Sequence, residues 1–128
     1  MFKNLIKILM LVIVLTSVSN VNAGKIDIDG YGGLVHNFVI TDMTTGTTIW
    51  DRDVAAGDGH SKNYDLNNLK YHQIMIKAGT CNLFSWYWNT LLINMYDGSD
   101  INLYIEKNDG LTYTIGNTTG NFKGSKTI

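Results

Sequence analysis

Short apolar runs recur along the chain at nearly regular intervals, and most of them end at glycine, asparagine or aspartate. In Lys25–Gly30 and Ile101–Ile105 the apolar residues occupy every second position, as they do in a strand that buries one face. Asn108–Gly110 is a strong hairpin-turn signal, and the chain has no proline to mark turns in its place. This pattern predicts an all-β domain, with seven or eight strands in a single antiparallel β-sandwich or a small closed barrel.

The beginning of the chain has a different character. Lys3 and Lys7 form a basic segment, Leu5–Val18 is an apolar run, and Val21–Ala23 ends in a small residue suited to a signal peptidase. The sequence therefore predicts a signal peptide over residues 1–23, and secretion or export to the periplasm. The mature chain, residues 24–128, is expected to form one domain.

Charge and cysteine content narrow the function classes. The eleven acidic and ten basic residues are scattered, so no basic stripe marks a nucleic-acid-binding surface. Cys81 is the one cysteine, which excludes an intramolecular disulfide and makes the domain depend on its core. We expect Cys81 to be a small buried residue, and nucleic acid is not an expected partner.

Residues suited to catalysis are sparse. The chain has a single glutamate, and its three histidines lie far apart with no short-spaced metal motif, so neither a metal nor another cofactor is expected. If Ala78–Gly79 were a two-residue hairpin loop, His72 would face Ser85 on the next strand. We interpret this pair as polar surface residues rather than as a nucleophile and its base. The sequence therefore predicts a protein that is not an enzyme.

The segment Ala78–Tyr96 contains no charged residue and holds two of the three tryptophans. As a strand it would place Trp86 and Trp88 on one face and Tyr87 on the other. A helix is the alternative, because six large apolar residues also follow helical spacing: Phe84, Tyr87, Trp88, Leu91, Leu92 and Met95. Its aromatic composition favours two strands, near residues 81–88 and 91–96. We expect Trp50 and at least one of Trp86 and Trp88 to lie in the core, and at least one of the consecutive rings to face outward.

The run FSWYWNTLLINMYDG, Phe84–Gly98, resembles the aromatic segment of actinoporin-like cytolysins and of the related fungal fruit-body lectins. Ile40–Asp58 is similar to an early strand pair and loop of the same group. The resemblance implies a β-sandwich that binds choline headgroups or sugars through an aromatic cluster. It maps Trp86, Tyr87, Trp88 and Tyr96 onto the binding aromatics. The toxins also insert an N-terminal helix, whereas the segment after residue 23 is glycine-rich and strand-like.

Together these features predict a small secreted, non-enzymatic binding protein. Its uncharged aromatic segment would contact a carbohydrate, a lipid headgroup or a protein partner. Two alternatives stay open: a membrane-acting, cytolysin-like toxin, and a structural or inhibitory protein that binds through an edge strand.

Overall fold

The computed structural model describes residues 24–32, 34–55 and 57–128, so the predicted signal peptide lies outside the described residues. Within them, no helix is long and apolar enough to cross a membrane. A 3-10 turn, Leu66–Leu69, joins two of the strands. The described chain forms ten strands: β1 (Gly24–Gly30), β2 (Val35–Asp42), β3 (Thr47–Val54), β4 (His60–Tyr64), β5 (Gln73–Asn82), β6 (Ser85–Asn94), β7 (Ile101–Ile105), β8 (Leu111–Ile115), β9 (Thr118–Phe122) and β10 (Ser125–Thr127).

The strands form two five-stranded sheets that pack face to face, so the predicted all-β sandwich is confirmed. The first sheet has the order β4-β1-β7-β8-β9, and the second has the order β10-β6-β5-β2-β3. Between the two sheets lie the residues that alternate along the predicted strands. They include Ile26, Ile28, Phe38, Ile40, Ile74, Ile76, Leu91, Ile101, Ile105 and Leu111, each no more than 1% exposed. Full burial of one such side chain contributes about 1.5–3 kcal/mol, which makes this layer the main source of stability.

The structure has more strands than the alternation indicated, and its sheets are mixed rather than purely antiparallel. β1 runs parallel to β7, and β10 runs parallel to β6. The additional strands include β4 and the short β9 and β10, whose sequences are largely polar. All three are outermost strands of their sheets. An outermost strand is held by backbone hydrogen bonds along one side and shows little apolar alternation in its sequence.

The β5–β6 hairpin turns at a different place from the one predicted. Ala78 and Gly79 lie in the middle of β5, and the turn consists of Leu83 and Phe84, with Asn82 opposite Ser85. Ala78 is fully buried, and β2 pairs with this whole stretch of β5, so the chain has no room to turn there. The strand alternative for Ala78–Tyr96 is correct, but its two strands begin and end elsewhere than expected.

The corrected register also separates His72 from Ser85. His72 precedes β5, and its Nδ1 lies 2.7 Å from a carboxylate oxygen of the buried Asp42. Burial tends to raise the pKa of Asp42, but hydrogen bonds from His72, Thr45 and Thr44 outweigh it and hold that pKa below its usual value. The predicted Ser–His pair is therefore wrong, and His72 instead supports the carboxylate at the β2–β3 turn.

Candidate functional site

The β5–β6 hairpin ends in an exposed apolar segment that we call the aromatic tip, residues 83–88. The strand beside β5 begins at Val35, which pairs with Cys81, so the turn extends past the end of β2. On the other side, β10 reaches only as far as Thr90 of β6. The tip thus extends beyond the strands on both sides of the hairpin.

Large apolar side chains fill this tip. Leu83 is 88% exposed and Phe84 is 99% exposed, and both stand at the turn itself. Trp86, Tyr87 and Trp88 follow, and each is between 42% and 51% exposed. Hairpin turns ordinarily use glycine, asparagine or aspartate, so two apolar residues at this turn are not explained by the needs of the turn.

The three consecutive aromatic residues divide between the two sides of β6. Leu91 is buried against the first sheet, so odd-numbered positions point inward and even-numbered positions point outward. Trp86 and Trp88 therefore lie on the outer face of the sandwich, and Tyr87 lies on the side of the first sheet. This corrects the expectation that one of the two tryptophans lies in the core. Trp50 is partly buried and packs against the core.

Trp86 and Trp88 stack on each other, with ring centroids 5.4 Å apart and planes inclined by 18°. A glycine makes room for the pair: Gly79 lies opposite Trp88 on β5, and a Cβ atom there would be 2.6 Å from the Trp88 ring. The indole thus lies against the bare backbone of the neighbouring strand. Since stacking covers one face of each ring, only the opposite faces and the ring edges can meet a ligand.

We expect Gly79→Ala to break this stack. The added methyl group must push the Trp88 ring aside, because the main chain opposite it is fixed by pairing with both β2 and β6. The exciton couplet that two stacked indoles give in far-ultraviolet circular dichroism should disappear, as it should in Trp86→Phe. Lys77→Ala, at the preceding outward position of β5, is the control and should keep the couplet. An unchanged couplet in Gly79→Ala would show that Gly79 does not position the ring.

Tyr87 lines an open cleft of about 430 Å³ between the aromatic tip and two loops of the molecule. Two of the residues that line this cleft are charged, Asp109 and Lys123. Its floor is held by Asn89, which is 5% exposed. The Asn89 side chain donates a hydrogen bond to the Asp109 carbonyl at 2.6 Å and accepts one from the Gly124 amide at 2.9 Å. One buried amide thus fixes the tip to both loops.

Tyr96 is not part of this cluster. It follows the far end of β6, eight residues beyond Trp88, which corresponds to about 26 Å along an extended chain. It is 76% exposed and lines a separate cleft of about 400 Å³. Of the four residues predicted to bind a ligand, the structure brings three together at the aromatic tip and places the fourth at the opposite end of the strand.

The sequence did not single out Leu83 and Phe84, the most exposed apolar residues of the tip, or Asn89 and Gly79, which position it. Leu83 and Phe84 were hidden because the turn was expected five residues earlier. The signal that could have located the turn was symmetry: a hairpin centred at residues 83–84 has a ten-residue strand on each side.

The described residues contain no group of three or more histidine, cysteine, aspartate or glutamate side chains that could hold a metal ion. His36 is fully buried, and its ring nitrogens contact the Thr80 hydroxyl at 3.1 Å and the Tyr31 carbonyl at 2.7 Å. Cys81 is half-buried on the outer face beside Trp86, more exposed than its expected place in the core. The candidate site is built from aromatic rings, side-chain amides and backbone groups.

Comparison with known proteins adds little to this geometry. The chain matches no protein-family model and no curated protein. A solved structure described as the NMR structure of the protein from Eubacterium rectale is similar over 76% of this chain and 91% of that one, at 8% identity and a TM-score of 0.38.

Proposed function

We propose that this protein is a small non-enzymatic binding protein that attaches to the surface of a lipid membrane through its aromatic tip. The observation that carries the proposal is the exposure of five large apolar side chains within six consecutive residues at the end of a hairpin. No charged residue lies between Ala78 and Tyr96 to oppose entry into the headgroup region. Exposed apolar patches of this kind mark interaction surfaces on soluble domains.

The order of the side chains along the tip supports a membrane rather than a soluble ligand. Leu83 and Phe84 stand at the turn, where they would reach the acyl boundary first. Trp86, Tyr87 and Trp88 stand further back, where amphipathic rings lie at headgroup depth. β5 and β6 pair the backbone groups that face each other within the hairpin, so a shallow insertion leaves only the groups on its outer edges unsatisfied. The resemblance of Phe84–Gly98 to a headgroup-binding segment supports the same proposal.

A carbohydrate ligand fits the tip less well. A sugar ring stacks on an open aromatic face, and mutual stacking of Trp86 and Trp88 leaves each indole only one such face. A carbohydrate would also give no role to Leu83 and Phe84, which point away from the rest of the fold. Carbohydrate binding is therefore an outcome that the experiment must be able to reveal.

The test is flotation of the mature chain, Gly24–Ile128, with phosphatidylcholine vesicles. The mature form is used so that the apolar run Leu5–Val18 cannot contribute to binding. We expect the protein to float with the vesicles, its tryptophan emission to shift to the blue, and brominated lipids to quench that emission. Failure to float, with an unchanged emission spectrum, would contradict membrane attachment.

Two parallel measurements separate the other candidates. Release of a dye trapped in the vesicles would show that the protein acts as a toxin rather than only attaching. Retention on a glycan array, without flotation, would show that the rings serve a carbohydrate. Membrane attachment alone predicts flotation without dye release and without glycan retention.

A further inference from the structure

On the side of β6 that faces β10, the aromatic tip carries unpaired backbone groups. Thr90 donates its amide to the Gly124 carbonyl at 2.8 Å, and Leu92 accepts from the Ile128 amide at 2.9 Å, so even-numbered residues of β6 direct their backbone groups towards β10. Trp86 and Trp88 share that direction because orientation alternates along a strand. Since β10 begins opposite Thr90, no described strand pairs with them on this side. The backbone amide and carbonyl groups of Trp86 and Trp88 are therefore available to pair with another strand. We call this part of β6 the open edge.

An open cleft adjoins this part of β6. The 430 Å³ cleft lies along this part of β6 and is lined by Tyr87, Trp88 and Gly124. Gly124 limits the open edge at Thr90, because the Gly124 carbonyl already accepts the Thr90 amide. A long strand laid along β6 would collide with this residue. Only a segment that ends or turns away after a few residues fits the open edge.

Three of the four outermost strands are protected against pairing in a way that this edge is not. Charged residues interrupt them: Arg52 in β3, Lys62 in β4 and Lys126 in β10. Lys62 also donates to the Ile49 carbonyl of β3 at 2.8 Å, which ties the two outer strands on that side of the sandwich. Charges on edge strands prevent association, and the open edge of β6 has none and is flanked by rings.

We propose that the open edge of β6 at Trp86 and Trp88 pairs with the aromatic tip of a second copy of this chain. That tip satisfies the two requirements of this edge: it is an extended segment, and it turns away at Leu83–Phe84 before it would reach Gly124. Like the open edge itself, it carries no charged residue. Antiparallel pairing about a two-fold axis lets each copy offer the same groups to the other. The inference goes beyond membrane attachment and does not depend on it.

The size of the surface indicates a weak dimer. Aromatic side chains expose about 150–250 Å² each when free, and the tip rings are roughly half exposed. The contact therefore falls below the about 800 Å² per partner that is typical of stable complexes, which places it among transient associations. We expect the mature chain to be monomeric when dilute and to dimerise reversibly as its concentration rises.

The decisive comparison is between Trp88→Pro and Trp88→Ala. Both variants lose the indole, but proline also removes the Trp88 amide, which points to the open edge and makes no hydrogen bond within the described fold. Sedimentation velocity without lipid should show that Trp88→Pro dimerises at least about tenfold more weakly than Trp88→Ala, since a two-fold dimer loses two symmetric hydrogen bonds. Equal dimerisation of the two variants would overturn the proposal, as would a wild-type chain that stays monomeric.

Amide hydrogen exchange supplies a readout that does not depend on folding of the proline variant. In the wild-type chain, the amides of Trp86 and Trp88 should exchange more slowly at high protein concentration than at low concentration, and the amides of β9 should not change. Concentration-independent exchange at both tryptophans would overturn edge pairing. Flotation distinguishes this result from the membrane proposal, because Trp88→Pro and Trp88→Ala should float equally with vesicles.

Discussion

The double substitution Leu83→Ser with Phe84→Ser is expected to abolish most membrane attachment. The two side chains are almost fully exposed in the free protein, so all of their transfer free energy is available on binding. At about 1.5 kcal/mol for each side chain, the low end of the range for apolar burial, the loss is about 100-fold in the partition coefficient. Vesicle titration followed by tryptophan emission measures it, since both tip tryptophans are retained.

This variant should fold as well as the wild-type chain, because exposed side chains contribute within about 0.5 kcal/mol to stability. A matched control is Tyr96→Ser, which removes an aromatic residue that is 76% exposed and lies beyond the opposite end of β6. Tyr96→Ser should leave the partition coefficient unchanged. If it weakened attachment as much as the double substitution did, the surface that contacts the membrane would not be the aromatic tip.

Asn89→Ala is expected to lower stability more than any other polar substitution near the tip. The buried amide satisfies the Asp109 carbonyl and the Gly124 amide, and alanine leaves both without their partner. The expected cost is about 2–3 kcal/mol of the free energy of unfolding, which corresponds to a fall of about 10 °C in Tm for a domain of this size. Urea titration and thermal unfolding, monitored by circular dichroism, measure the two quantities.

Asn94→Ala provides the control on the same strand. Asn94 is exposed, and its hydrogen bond to Ile128 is made by the backbone amide, which the substitution keeps. Its stability should stay within about 0.5 kcal/mol of the wild-type chain. Equal stability of Asn89→Ala and Asn94→Ala would mean that solvent in the cleft replaces the side chain, and that the tip is not held to the two loops by Asn89.

Much of the sandwich could be predicted from the sequence because burial imposes a period on it. Where one face of a strand meets the core, every second residue is apolar, as in β1 and β7. The turn before β8 was also predicted correctly, since Asp109 adopts the positive φ that such a turn requires. The outermost strands β4, β9 and β10 have no such period, and sequence alternation did not detect them.

The candidate site was predictable in composition but not in arrangement. An uncharged aromatic segment identified Trp86, Tyr87 and Trp88 as residues of interest. The turn at Leu83–Phe84 has no residue that local sequence would assign to a turn. Its place is decided by β2, which keeps Ala78 and Gly79 within the sheet. The same register moves Ser85 away from His72, and the uninterrupted strand β6 separates Tyr96 from the other three predicted residues.

The sequence by itself determined that this chain is an all-β domain, because the alternation of apolar residues is a local property that burial of one strand face enforces. Only the tertiary structure decided which of the rings are free. Their exposure depends on where neighbouring strands end: β2 at Val35 and β10 at Ser125 stop short of the aromatic tip. Strand ends are set by pairing between segments distant in the chain, and that pairing leaves no mark in the sequence of the tip.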